Sequence, residues 1–320
     1  MRRKPPRVSI GLPVYNGENF VEDAIRSILA EYYSNIELII SDNASTDRTE
    51  EICRDYAARD GRIRYLRNER NLGAAPNYNR TFHEARGEYF RWAAHDDMTE
   101  PEFLARCVEA LDSDPSVVLA HTRVRIVDQR GNKVEDYDYR PNTSAPDPCK
   151  RFFDLLFVKN NCFEFFGLNR RDVLAQTQLH GTYPVGDRVT LSELAFRGRF
   201  FEHPEPLFLS REHPDRSVRR HVSQQERAAW FDASRANAIT FPEWRAFWEY
   251  CKAIDRSPLS ARDKTRCYLY MVKWLRHYRK RMRRDVYVAC LDMASRRLGS
   301  RIAGPLWDLA DRLGLTEEDI

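Results

Sequence analysis

Over its first 94 residues the chain alternates short apolar runs with stretches of helical periodicity. Val8 to Leu12 is a β-branched, apolar run stopped by Pro13, and predicts a buried strand. After the turn Tyr15-Asn16-Gly17, Phe20, Val21, Ala24, Ile25, Ile28 and Leu29 recur at helical spacing. Ile36 to Ile40 is the second predicted strand, and Thr46 to about Ala58 a helix with Asp47 suited to its positive end. Ile63 to Leu66, the loop Asn68 to Gly73, the helix Ala74 to Ala85 and the strand Glu88 to Ala94 complete the series. Four strand–helix alternations with short links predict a parallel sheet with right-handed crossovers, an α/β Rossmann-like architecture.

The second half is less regular. Val117 to Ala120 predicts a strand, and Arg123 to Val127 with Lys133 to Val134 a hairpin around Arg130-Gly131-Asn132. Pro141 to Pro148 is turn-rich and reads as a mobile surface loop, and Asn161 to Gly167 as a short aromatic strand. Val189, Leu191, Leu194, Ala195 and Phe196 give an apolar helix with Asp187 at its start, and Pro206 to Leu209 a last strand. From Val222 onward strand signals vanish, which divides the chain into an α/β domain, 1–221, and a helical region, 222–320. Within the latter, 271–284 carries seven Lys or Arg and no acid. Trp274, Leu275, Tyr278 and Met282 interleave with these charges, which suits peripheral contact with an anionic membrane. A solvated helix face and a contact between copies of the chain in a homo-oligomer are the alternatives. Nucleic acid has the same charge argument but no recognised binding fold behind it.

Composition narrows the class. A net charge of +4 over 320 residues implies neither a nucleic-acid binder nor a binder of acidic substrates globally. The seven cysteines are scattered and show no C-x-x-C spacing, so they read as reduced thiols in a cytoplasmic protein. No apolar run reaches membrane-spanning length and no apolar leader follows Arg2-Arg3-Lys4, so the expectation is a chain neither secreted nor integral.

The candidate chemistry lies at the strand ends. Pro13, Tyr15 and Asn16 follow the first strand, Asp42 the second, Asn71 and Gly73 the third, and Asp96 with Asp97 the fourth. Loops at the carboxyl edge of a parallel sheet converge on one crevice, where open α/β sheets bind ligands. No G-x-G-x-x-G follows the first strand, so a nucleotide must be held differently. Asp42 can accept from a ring N–H of a base, and Tyr15 can offer a wall to it. Asp96 and Asp97 repel one another unless a cation lies beside them, and a hard divalent ion sharing phosphate oxygens is the usual solution. The plain alternative is that Asp96 caps a helix from Thr99 to Leu111, for which Pro101 suits the first turn.

Val-Ser-Ile-Gly-Leu-Pro-Val-Tyr-Asn-Gly (8–17), Glu-Leu-Ile-Ile-Ser-Asp-Asn-Ala-Ser-Thr-Asp (37–47), Asn-Leu-Gly (71–73), Ala-Arg-Gly-Glu-Tyr (85–89) and His-Asp-Asp (95–97) resemble, in order, the motifs of the family-two inverting nucleotide-sugar glycosyltransferases. The resemblance covers roughly the first two-thirds of the chain. It implies a GT-A fold, a mostly parallel mixed central sheet flanked by helices, with a helical C-terminal region added. It implies Asp42 on the nucleobase, Asp96 near the ribose or metal, and Asp97 as principal ligand of Mn²⁺ or Mg²⁺ on the diphosphate. It further implies Asp187 as the base that takes the proton of the acceptor, with Glu193 the alternative. Arg211 or His213, just past the last strand, would close over the diphosphate, His213 as a metal ligand and Arg211 as its neutralising cation. The partners implied are a nucleoside diphosphate sugar, UDP favoured, and a glycan or lipid-linked acceptor near the 141–148 loop. The sequence departs from the pattern where Ala94, Ser41 and Asn43 stand in place of acids and Tyr78 in place of Arg. A non-catalytic sugar-nucleotide-binding scaffold stays open because of Ala94. A nucleotidyltransferase is the other rival, and Pro13 to Gly17 lacks its Gly-rich, basic loop.

Overall fold

The computed structural model describes residues 5–216, 224–235 and 238–298. A nine-stranded mixed sheet runs through its centre in the order β3-β2-β1-β4-β8-β6-β9-β5, with β7 paired outside this path to β6. The first half follows the periodicity closely: β1 Val8–Val14, α1 Val21–Leu29, β2 Ile36–Asp42, α2 Thr49–Arg59, β3 Ile63–Arg67, α3 Ala74–His83 and β4 Tyr89–Trp92. β1 and β2 are buried at every position, as befits parallel strands covered on both faces. The chain moves outward from β1 to β3 and returns to pair β4 on the other side of β1, both pairings parallel. The crevice between the carboxyl ends of β1 and β4 is therefore a topological switch point.

Beyond β4 the fold corrects four local expectations. Met98–Thr99 is a two-residue strand, β5, antiparallel to the end of β9 (Arg199–Arg211), and helix α4 starts only at Phe103 and ends at Ser113. Asp96 thus precedes a strand and caps no helix. The predicted strand at 117–120 and the first arm of the hairpin are one strand, β6 Val117–Val127, paired antiparallel with β7 Lys133–Tyr137 and parallel with β9. Phe163–Phe166 is a 3₁₀ turn followed by β8 Leu168–Arg170, because a short aromatic run fills the core equally well in either form. The 141–148 loop is held in place: Thr143 accepts from the Phe200 N–H, and the buried Arg151 of α5 (Pro148–Phe157) donates to the carbonyls of Ala145 and Pro146.

The remaining helices are α6 Arg171–Leu174, α7 Gly186–Arg197, α8 Gln224–Phe231, α9 Pro242–Arg256 and α10 Ala261–Leu298. α9 and α10 share a core with α5 and α7, in which Phe152, Val189 and Phe196 meet Ala246, Tyr250, Met271, Trp274 and Met282. Leu275 and Tyr278 pack against the same cluster. The apolar stripe expected to face a membrane is thus turned into the protein. Among the described residues no helix is long and apolar enough to cross a membrane.

Beneath the loop after β4 lies a buried ion pair. Arg91 reaches Glu31 at 3.4 Å, while Glu31 also accepts from the Thr99 hydroxyl at 2.8 Å and the Leu104 N–H at 2.7 Å. Two charges taken out of water are tolerable only with this many partners, so the pair fixes how α1, β4, β5 and α4 meet below Asp96 and Asp97.

Candidate active site

A cleft of about 760 Å³ opens at the switch point. Its walls are the β1 loop (Pro13, Tyr15, Asn16 and Phe20), Asn71 and Tyr78 on the β3–α3 side, and the Ala94 to Asp97 loop. His213 and Arg216 line it from beyond β9, and Glu226, Ala229 and Trp230 of α8 from the helical region. The first helix beyond residue 221 therefore contributes directly to the wall. The close approach of these loops depends on small residues. A Cβ on Gly17 would lie 2.6 Å from the His95 ring, and one on Gly73, whose φ is 92°, would lie 2.7 Å from the Asp232 backbone.

The acid pair is asymmetric. Asp97 is 8% exposed and its Oδ1 accepts the Arg211 N–H at 2.9 Å. Burial, and next the adjacent Asp96 charge, push its pKa up to about 7. Burial pushes Asp96 up as well, but His95 and the hydrogen bond from His213 outweigh it and hold this carboxyl at about 2. His213 Nε2 lies 2.9 Å from Asp96 Oδ2, and its ring packs on Phe20 at 4.7 Å. His213 Nδ1 is buried and has no hydrogen-bond partner among the described residues.

Those observations bear on a metal. Among the described residues no group of three or more His, Cys, Asp or Glu side chains converges as a ready-made cation site. The donors nevertheless fit a hard divalent ion held largely by its substrate: two adjacent carboxylates that raise one another's cost of ionising, and an imidazole nitrogen buried without a partner among the described residues. Ala94 lines the cleft where another carboxylate would stand.

Five expected positions, counting the alternative base Glu193, do not line the cleft. Asp42 is fully buried, with the Tyr65 hydroxyl at 2.7 Å and the Arg67 guanidinium on Oδ2 and the Ser45 N–H on Oδ1. Its neighbour Asn43 lines the cleft instead and ties Asn71 to the Gly73 carbonyl, so Gly73 acts through its backbone. Arg211 corrects the expectation most clearly. It is 2% exposed, and its guanidinium donates to Asp23 at 2.9 Å and to the carbonyls of Gln129 and Asp96 at 2.7 and 3.1 Å. The guanidinium that faces the cleft is that of Arg216, paired with Glu212. Asp187 stands in the first turn of α7, and its charge acts on Tyr78 and His180. Burial, followed by the charges of Asp96, Asp97 and Asp187, raises the Tyr78 hydroxyl. Glu193 is fully buried, with Arg256 at 2.7 Å and the Gln178 N–H at 2.7 Å on its two oxygens.

Sequence reasoning did not reach Phe20, His95, Arg216 or Trp230. Arg216 and His213 share one signal, a position just past the last strand. Nothing in the pattern of α8 points Trp230 toward the cleft.

A switch-point cleft lined by an acid pair, under a mixed sheet with helices on its faces, defines a GT-A-type architecture. The chain belongs to the glycosyl transferase family 2, whose family model matches residues 9–177. It is 36% identical over 131 residues to an uncharacterized glycosyltransferase of Rickettsia typhi, covering 40% of each chain. It is 30% identical over 142 residues to the putative teichuronic acid biosynthesis glycosyltransferase TuaG of Bacillus subtilis, covering 44% of this chain and 56% of that one. The chain thus matches less than two-thirds of the length of either relative. Among solved structures it resembles S. aureus TarS 1-349 in complex with UDP-GlcNAc, with a TM-score of 0.62 and 13% identity over 89% of this chain and 81% of that one. It also resembles the mannosyltransferase PcManGT of Pyrobaculum calidifontis, in complex with GDP-Man and Mn²⁺, with a TM-score of 0.54 and 18% identity over 98% and 81%. At such identities the likeness is one of fold.

Proposed function

We propose that the chain is a metal-dependent, inverting glycosyltransferase that moves a sugar from a nucleoside diphosphate to a hydroxyl of a glycan or lipid-linked acceptor. The observation that carries this reading is the placement of Asp96, Asp97 and His213 on one wall of the switch-point cleft, with Arg216 beside them. UDP is the favoured nucleotide, by analogy with the UDP-GlcNAc complex of TarS, and the glycan acceptor by analogy with TuaG.

The base enters past Tyr15 and Asn71, and Asp42 would take its ring N–H once the Tyr65 hydroxyl and the Arg67 guanidinium that cover it give way. Asp97, with Asp96 and His213 beside it, would hold Mn²⁺ or Mg²⁺, which would supply charge compensation for the diphosphate. The acceptor oxygen attacks the anomeric carbon from the face opposite the diphosphate. The bond to the diphosphate oxygen breaks, the configuration inverts, and the acceptor proton passes to Asp187. Arg216, which lines the same cleft, is the guanidinium we assign to neutralising the charge left on the departing group. Trp230 and Phe166 offer apolar walls to the sugar and exclude water.

Calorimetry with UDP in the presence and absence of Mn²⁺, followed by hydrolysis assays on UDP-, dTDP- and GDP-sugars, tests the reading. Manganese-dependent binding with turnover of one donor is the expected result. Binding with no turnover of any donor would replace it by a sugar-nucleotide-binding scaffold, the reading that Ala94 favours.

A further inference from the structure

Two exposed stripes meet on the C-terminal helices. On α10, Val272, Arg276, Arg279, Arg283 and Val286 recur at i, i+4, i+7, i+11 and i+14, which places them on one side of the helix, and each is exposed. On α9, Trp244 and Trp248 share a side at i and i+4 and are 38% and 57% exposed, and Phe241, just before the helix, is 39% exposed. The stripes join at a groove of about 360 Å³ walled by Trp244, Leu275, Met282 and Val286, with Arg279 and Arg283 at its rim. No Asp or Glu occurs between Asp263 and Asp285. Among the described residues Arg276, Arg279 and Arg283 form no ion pair, whereas most other arginines do.

We propose that this face docks on an anionic lipid bilayer. Large aromatics left in water beside uncompensated guanidinium groups ask for two things at once, an apolar phase for the rings and anions at its edge. A bilayer surface supplies both, the acyl boundary to Trp244, Trp248, Phe241 and Val286 and the headgroup phosphates to the arginines. Trp274, buried in the protein core, takes no part, and Met282 only floors the groove. The aromatic share of the contact comes from α9, a helix the basic stretch alone does not reveal. The surface is separate from the catalytic cleft and works without any donor.

The test is co-sedimentation of the full chain with vesicles of phosphatidylcholine alone and of phosphatidylcholine mixed with phosphatidylglycerol, over a salt series. Wild type should bind the anionic vesicles, weakly at high salt, and stay in solution with the neutral ones. Each arginine near an anionic surface contributes roughly a fivefold factor, so Arg276→Gln/Arg279→Gln/Arg283→Gln should weaken binding on the order of a hundredfold. Trp248→Ser, at a mostly solvated position, should weaken binding at every salt concentration without changing the salt slope. No binding to either vesicle, equal binding to both, or unchanged binding of both variants overturns the proposal. So does a wild-type chain that ignores vesicles but self-associates, or binds duplex DNA, in a manner the arginine variant loses.

Discussion

Nε2 of His213 stands 2.9 Å from Oδ2 of Asp96, joining the loop after β4 to the segment after β9 across 117 residues of chain. Asp97 makes the companion link by accepting the Arg211 N–H. Each acid is thus oriented by the last strand, while β5 pairs with that strand from below. The acid pair is a part of the sheet's far edge as much as of β4, and its geometry is set before any ligand arrives.

Asp97→Ala should abolish metal-stimulated binding of a nucleoside diphosphate and leave the fold intact. The carboxylate accepts the Arg211 N–H, so its loss costs some stability, but removing it also relieves the repulsion from Asp96 and the burial that raise its pKa. Calorimetry with UDP and Mn²⁺ reads the effect. An unchanged affinity, with the same metal increment as wild type, refutes the ligand role of Asp97.

The two arginines past Leu209 should separate cleanly. Arg211→Ala removes three hydrogen-bonding partners and the cation over Phe20, 4.5 Å from the ring, and should cost about 2–4 kcal/mol of stability. Arg216→Ala should leave the melting temperature nearly unchanged and lower turnover on the order of a hundredfold, the usual loss for one donor to a developing charge. Thermal melts and initial rates on the two variants check this. The opposite pattern would return the diphosphate role to Arg211.

Asp187→Asn should bind donor about normally and lose roughly 10²–10⁴-fold in turnover, the range for removal of a general base. Glu193→Gln, by contrast, should lose stability through its contact with Arg256 and keep its rate per folded molecule. Single-turnover rates normalised to the folded fraction distinguish the two. Near-normal turnover of the Asp187 variant would remove the base from α7.

The first four strands and three helices were readable because each local pattern agrees with the global sheet: β-branched runs buried on both faces, then amphipathic helices. The strand-end loops followed from that alternation, and Tyr15, Asn71, Asp96 and Asp97 do line one cleft. What stayed hidden is tertiary. β5 is two residues long and exists only because β9 pairs with it, and no periodicity can announce such a strand. Arg211 and Arg216 look alike in sequence. β9 extends to Arg211, whose ladder partner is Val127, and this carries its side chain into the protein, whereas Arg216 lies beyond the ladder. Trp230 reaches the wall because Leu72 accepts the Ala233 N–H and α8 packs on α3, contacts between segments far apart in the chain.

His121 should make folding stability depend on pH below neutrality. It lies in β6, 5% exposed, with Nδ1 3.3 Å from the Thr122 carbonyl, its ring against Tyr139 and Nε2 without a partner. Burial lowers its pKa to about 4 from an ordinary 6.5, with the Thr122 contact opposing. Above pH 6.5 both the folded and the unfolded chain carry neutral imidazole, so the full stability is present. As pH falls from 6.5 toward 4 the unfolded chain takes up a proton that the folded chain refuses, and stability declines by up to ~1.4 kcal/mol per pH unit from this group. Carboxylates add their own slope near the bottom of that range, so the comparison belongs between pH 6.5 and 5. His121→Phe keeps an aromatic ring without the titrating nitrogen, and urea unfolding of this variant should show a shallower decline there than wild type. Parallel pH profiles for the two proteins would mean that His121 protonates in place, and that water reaches Nε2.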